Sequence, residues 1–481
     1  MINFFKNSLF LTALVGIMFC SSCTKNDPAL PDNLVAFDSD QLGTSAAEAQ
    51  TTITITSLRA VSNASTLSVS LAPSTNLVYG TQFTTDPAAV SNELSITVPA
   101  NATTASFLVK KTAGALFDGT EKIVFTIQTA TNGLVLGEKK VVTLSFAEIV
   151  AASGTIDITG GGVFYPNNVF IDFSGNRQTA VARTTWDLAF STTDDFRVLL
   201  NSSNGMMAYK LSGKTDLNSV TAADVTNADL ANRLSIGAVF AAANSNPLPL
   251  WLQGAINWVD NANGDLTKNV IGSVSAIESE NLVFIVNRGE GPGNPTIALG
   301  WKKIRIIRNG DNYTIQHADI SATTFSSTTV TKDANYRFSY FSFESGTVSV
   351  APSDKKWDIE WTGFTNTANV GFLIPYYFQD IIVQSPKVQA VAVLTSTISY
   401  DNFVEANLSS ITLLSPQLTI GSTWRSGGGP PGTPPPAVRS DRFYVVKDPD
   451  GNYYKLRFTA LATNGERGKP QLEFRLVKKA S

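Results

Sequence analysis

The sequence predicts a mainly β protein, and three observations carry that prediction. Thr, Ser, Val, Ile and Phe dominate, while long stretches with a 3.6-residue apolar period are scarce. Short alternating segments broken by turn residues fill the first third of the chain. The stretch Arg183-Thr-Thr-Trp-Asp-Leu-Ala-Phe190 then returns in near copy as Lys355-Lys-Trp-Asp-Ile-Glu-Trp361. Strand side chains alternate with period two, so Trp186, Leu188 and Phe190 are expected on one face, as are Trp357, Ile359 and Trp361. Asp187 and Asp358 then fall on the opposite face. Two such strands in matching surroundings suggest a duplicated domain.

The 481 residues suffice for about three domains. With 43% apolar and only 16% charged residues, the chain can bury sizeable cores and is not disordered. A net charge of −3 argues against a binder of the phosphate backbone, which needs a basic surface, so no nucleic-acid partner is expected.

Taken in order, residues 1–22 read as a lipoprotein signal peptide. Lys6 supplies the positive start, and Ser8 to Phe19 form an apolar run too short to span a bilayer comfortably. Ser21-Ser22-Cys23 has the small residues a signal peptidase needs, followed by the thiol that would be acylated. Cys23 is the expected lipidation site, and the alternative is that Cys20 and Cys23 are ordinary thiols. If Cys20 leaves with the signal, the mature chain has no disulfide, Cys-based metal site or Cys nucleophile. A lipid chain anchors a protein to a membrane without spanning it. Thr24-Lys-Asn-Asp27 leaves the side of the outer membrane open, cell surface or periplasmic face. Residues 23–34, with two prolines and no apolar period, read as a tether.

Residues 35–150 alternate as half-buried strands. Examples are Thr51-Thr-Ile-Thr-Ile-Thr56, Thr66-Leu-Ser-Val-Ser-Leu71, Leu94-Ser-Ile-Thr-Val98, Ala105-Ser-Phe-Leu-Val-Lys110, Lys122-Ile-Val-Phe-Thr-Ile127 and Val141-Val-Thr-Leu-Ser-Phe146. Their spacing suits a β-sandwich. The pattern around Tyr79-Gly-Thr-Gln-Phe83, Ile96-Thr-Val-Pro-Ala-Asn101 and Asp118-Gly-Thr-Glu-Lys-Ile-Val-Phe125 resembles Calx-β and related bacterial Ig-like modules. Such modules can hold calcium through acids at strand ends. Gln82 stands where an Asp is usual, so a spacer or contact role is expected here.

Two regions, 152–330 and 334–480, then share four landmarks in the same order. The first is an aromatic strand ending near a glycine, Phe170-Ile-Asp-Phe173 against Tyr340-Phe-Ser-Phe343. The second is the Trp-Asp strand. The third is Ser235-Ile-Gly-Ala-Val-Phe240 against Thr419-Ile-Gly-Ser-Thr-Trp424, each after a stretch of helical period, Ala222 to Leu234 and Asn402 to Ile411. The fourth is a hairpin turn, Asn309-Gly-Asp-Asn-Tyr313 against Asp450-Gly-Asn-Tyr-Tyr454. The Gly/Pro-rich stretches Arg288 to Pro295 and Ser426 to Pro436 read as solvent loops, either surface insertions or lips of a cleft.

Tyr340-Phe-Ser-Phe-Glu-Ser-Gly346, Trp357-Asp-Ile-Glu-Trp361 and Arg442-Phe-Tyr-Val-Val-Lys-Asp-Pro-Asp-Gly-Asn-Tyr-Tyr-Lys-Leu-Arg-Phe458 together resemble the HmuY family of haem-binding lipoproteins. The resemblance covers all of 334–480, and 152–330 follows it more loosely, so two HmuY-like domains are expected. It implies haem as ligand, held between strands by His or Met, and an outer-membrane receptor or haemoprotein as partner. The chain has one histidine, His317, which rules out bis-His ligation within one protomer. Aligning the hairpins puts His317 on the face of Tyr313 and Ile315, a position that suits a core or half-buried histidine better than a ligand. Past the signal the only methionines are Met206 and Met207, in Asn204-Gly-Met-Met-Ala-Tyr209. They are the candidate axial ligands, of which only one could reach a given haem because neighbours on a strand point oppositely. The alternative is that both fill core space. The second region could ligate only through Tyr376 or Tyr377.

No catalytic residue and no metal site are expected. His317 has no Ser or Cys motif near it. Asp187 and Asp358 beside tryptophan raise glycoside hydrolysis, but they read more simply as polar-face residues bonding backbone amides. Asp260-Asn-Ala-Asn-Gly-Asp265 lacks the spacing and closing Glu of a calcium loop and reads as a polar turn. Trp251 and Trp258 are either a sugar platform or core. The function expected is ligand capture at the cell envelope. The alternative is a structural or adhesive surface lipoprotein contacting glycan or protein.

Overall fold

The computed structural model describes residues 31–44, 48–117, 119–147, 149–427, 435–463 and 465–480. The signal segment, Cys23 and Asp118 lie outside them. The chain is mainly β, as expected.

Residues 33–145 form two facing five-stranded sheets. One runs in the order Phe83–Asp86, Thr104–Lys111, Gln50–Ser57, Asn33–Phe37, Leu134–Leu136. The other runs Gln41–Gly43, Val141–Ser145, Lys122–Ala130, Ser65–Pro73, Glu93–Val98. Alternation does the folding. Ile53 and Ile55, Leu67, Val69 and Leu71, and Ile123, Phe125 and Ile127 all point into one core, each contributing about 1.5–3 kcal/mol by leaving water. Glu121, an acid immediately before the strand Lys122–Ala130, is buried and accepts from Gly119 N at 3.0 Å.

The rest of the chain is built differently from the two side-by-side domains that the repeats suggest. The aromatic strand of each predicted copy pairs with the Trp-Asp strand of the other. Asn167–Asp172 lies antiparallel to Ile359–Asn369, with Val169 opposite Trp361 and Ile171 opposite Ile359. Phe338–Ser342 lies antiparallel to Leu188–Ser191, with Phe341 opposite Leu188. The exchange is reciprocal down to single atoms. Asp358 N donates to Ile171 O at 2.7 Å, and Asp187 N donates to Phe341 O at 2.8 Å. Phe173 N donates to Asp358 Oδ2 at 2.7 Å, and Phe343 N to Asp187 Oδ2 at 2.8 Å. The division at 330–334 is therefore corrected: the halves are one interleaved unit. Local sequence marks the strands but not their partners, because the aromatic strands suit either Trp-Asp strand equally well.

Two cores follow from the exchange. Leu188, Phe190 and Phe341 pack on the Trp301–Asn309 and Asn312–Ala318 hairpin through Ile304, Ile306 and Tyr313. Ile171, Phe173, Ile359 and Trp361 pack on the Arg442–Lys447, Tyr453–Thr463 and Glu466–Lys478 meander through Tyr444, Tyr454 and Phe474. Ser153–Asp157 pairs with Glu466–Lys478, closing the first strand of the unit on the last.

The third landmark is not equivalent in structure. Ser235 caps the helix Ile236–Ala243, its hydroxyl accepting from Ala238 N at 3.1 Å, and Phe240 is 52% exposed. Trp424 sits in a turn, 1% exposed, and donates through Nε1 to Asp380 O. The sandwich meets this unit across a polar seam. Gln178 Nε2 donates to Asp38 Oδ2 at 2.9 Å, and Arg177 pairs with Glu48 at 2.7 Å. Burial pushes the Asp38 carboxyl up to about 6. A cavity of about 180 Å³ in this seam is edged by opposite charges, including Asp172, Arg177 and Lys356.

Candidate functional site

The strand exchange creates the candidate site. Both tryptophans that open the Trp-Asp strands leave the cores expected for them. Arg183–Thr185 forms a 3-10 turn, and Trp186 at its end precedes the strand, so period-two alternation does not yet apply. Asp187 and Asp358, 1% and 2% exposed, turn inward to cap the partner aromatic strand. The indoles turn away from the Leu188 and Ile359 cores. Trp186 meets Tyr340 edge-on at 5.1 Å, and Trp357 meets Phe170 edge-on at 5.2 Å, geometries worth about 0.5–1.5 kcal/mol each. With Val350 they form one small cluster bridging the two halves.

A cavity of about 100 Å³ opens against that cluster, walled by Trp186, Trp357, Tyr340, Phe338 and Phe364. Its polar lining is neutral or acidic, with no Lys, Arg or His in it. Most of that lining is already committed. Thr362 Oγ1 donates to Asn168 Oδ1 at 2.9 Å, and Asp260 accepts from Leu200 N at 2.6 Å and Val270 N at 3.0 Å. Burial pushes Asp260 up to about 6. Two of the lining side chains carry a buried polar atom with no hydrogen-bond partner among the described residues, the donor Trp186 Nε1 and the acceptor Gln384 Oε1. Glu360 also lines the cleft, and burial alone pushes its carboxyl up to about 8.

The residues singled out for haem do not converge on this cleft or on each other. Met206, 1% exposed, fills the core around Phe190 and Tyr313. Met207, 0% exposed, fills a second core with Leu217, Leu252 and Ile285. Adjacent strand residues do point oppositely, but each points into packed side chains, so neither sulfur is placed as an axial ligand. His317 is half-buried between Phe341 and Phe343, at 5.4 Å from each ring, and burial followed by the Lys302 charge lowers its pKa. Tyr377 donates to Ser203 O at 2.9 Å, and Tyr376 packs on Phe240 and Phe378. Trp251 and Trp258 stack on each other at 5.8 Å and pack against the Met207 core. Among the described residues no group of His, Cys, Asp or Glu could hold a metal ion.

The cleft was only partly legible in sequence. Trp186 and Trp357 stood out, but Glu360 and Gln384 did not. Glu360 occupies the position that Ala189 holds in the first Trp-Asp strand, and this one difference between the copies was the available signal.

A family model described as HmuY protein matches residues 164–474, a single match that runs through both halves. None of the curated proteins matches the chain. Among solved structures the chain is similar to the apo form of the Calx CBD1 domain, at 12% identity over 24% of this chain and 97% of that one, with a TM-score of 0.21. It is also similar to a two-domain protein of unknown function from Bacteroides fragilis, at 10% identity over 40% and 74% of the two chains, TM-score 0.18. A protein of unknown function from Bacteroides ovatus aligns at 7% identity over 93% and 92%, TM-score 0.16.

Proposed function

The chain belongs to the HmuY family, and on that premise we propose that it captures a small ligand in the cleft between its Trp-Asp strands, without a bond to iron. The family is one of haem-binding-like cell-envelope proteins rather than enzymes. The carrying observation is the cleft itself, where an aromatic pair from each strand exchange meets in one open pocket. Haem does not fit it, on three counts. At about 100 Å³ the cavity is smaller than the roughly 300–1,000 Å³ of pockets for drug-sized molecules. No His or Met faces it. Its lining holds no Lys, Arg or His to pair with a ligand bearing two propionates.

The signal sequence supports an envelope location, with Cys23 as the acylated residue and the outer membrane as the anchoring surface. Among the described residues no helix is long and apolar enough to cross a membrane. Loss of radiolabelled palmitate from a Cys23→Ser chain tests the anchor.

The cleft is tested by filling it. Leu199 lines the cavity from the strand Val198–Leu200, between two buried neighbours that hold the core. Leu199→Trp should abolish any ligand-induced rise in melting temperature while leaving the unliganded melt in place. Haemin should give no saturable Soret shift at one equivalent. A stoichiometric shift lost in the Met206→Leu, Met207→Leu double variant, which keeps the core volume and removes both sulfurs, would restore iron ligation and overturn this reading.

A further inference from the structure

Resting on that reading of the cleft, we infer that its ligand is an uncharged pyranose ring, the end or branch of a glycan. Three observations select this chemistry. The first is the pair of unpartnered buried atoms, one a donor, Trp186 Nε1, and one an acceptor, Gln384 Oε1. A hydroxyl both accepts and donates, so one kind of group satisfies both; a quaternary ammonium has no lone pair for the indole N–H. The second is the wall of Trp, Tyr and Phe rings, which suits the C–H face of a sugar ring and gives the remaining contact area. The third is charge. With no Lys, Arg or His in the lining, carboxylated and sulfated sugars meet only Asp260 and Glu360. Glu360, held largely protonated at neutral pH by burial, offers a further donor and acceptor without demanding a cation. A pyranose is larger than about 100 Å³, so the cleft takes one face of a single ring and leaves the rest of it in solvent.

The test titrates the purified chain with neutral methyl pyranosides, with methyl sialoside and tetramethylammonium as charged comparisons, followed by calorimetry and tryptophan fluorescence. At least one neutral pyranoside should saturate. Trp186→Phe, which keeps a ring but removes the N–H, should weaken it roughly five- to tenfold, and Leu199→Trp should abolish it. Circular dichroism melts confirm that both variants fold. If tetramethylammonium or sialoside saturates instead and Leu199→Trp abolishes that signal, the sugar assignment falls while the cleft stands. If a pyranoside binds the two variants as well as it binds the parent chain, the ring sits elsewhere and both readings fall. If no probe saturates, the sugar assignment is overturned.

Discussion

Replacing Asp187 and Asp358 in turn with Asn should separate two positions that the strand exchange makes equivalent. Both carboxylates cap a phenylalanine amide of the partner aromatic strand. Their surroundings differ. Asp187 holds Arg288 through two contacts, Nε to Oδ1 at 2.8 Å and NH2 to Oδ2 at 3.2 Å, with both side chains under a tenth exposed. Asn keeps the cap but leaves a buried guanidinium with only the exposed Glu344 and Leu299 O. Breaking a buried pair costs about 3–5 kcal/mol, and the surviving Glu344 contact puts this case near 3. Asp358 has no such cation. Burial, then the Asp172 charge, hold its carboxyl well above the ordinary value of 3.8. Asn mimics the protonated acid, so Asp358→Asn should cost less than about 1 kcal/mol. Urea unfolding followed by tryptophan fluorescence reads this unit alone, because all seven tryptophans lie at or beyond position 186. With an m-value of about 3 kcal/mol/M, Asp187→Asn should lower the midpoint by roughly 1 M. The pH arm has a definite sign. Between 3.8 and its raised folded value, Asp358 binds a proton in the folded chain that the unfolded chain has lost. Stability from this group therefore falls as pH rises through that window, and Asp358→Asn should remove that part of the slope. Equal losses from the two variants, or an unchanged slope in Asp358→Asn, would refute the reasoning.

Two further outcomes are expected. Residues 152–330 and 334–480 expressed apart should each fail to unfold cooperatively, while co-expression should yield a complex, because each half supplies a strand to the other's sheet; cooperative unfolding of either half alone would contradict the exchange. Met206→Ala and Met207→Ala should each destabilise by about 2–5 kcal/mol in the same urea assay, as core truncations do, and a loss below about 1 kcal/mol in both would show that they are not core residues.

The mainly β class, the sandwich strands, the Trp-Asp repeat and the second hairpin turn were legible because alternation and turn residues are local signals. Partner choice was not. Tyr340-Phe-Ser-Phe343 carries nothing that says it will lie beside Leu188 rather than Ile359. The two tryptophans were misplaced for a related reason: each stands one residue before its Asp, where inward capping interrupts the alternation that places Leu188 and Phe190 correctly. The methionine pair shows the limit of position in the chain as a guide, since two neighbours in sequence sit in two different cores.

The reciprocal pairing also fixes an order of events during synthesis. Asp157 bonds Gln471, 314 residues further on, and the amide of Phe173 waits for Asp358, 185 residues away. The sandwich has no such dependence and can close as soon as residue 146 is available. The second unit cannot bury the core around Leu188 until residue 343 has emerged, nor the core around Phe173 until nearly the last strand has, so the chain matures from its N-terminus with a long unpaired stretch trailing behind. Any factor that guards nascent strands would meet its longest exposed target between residues 153 and 359.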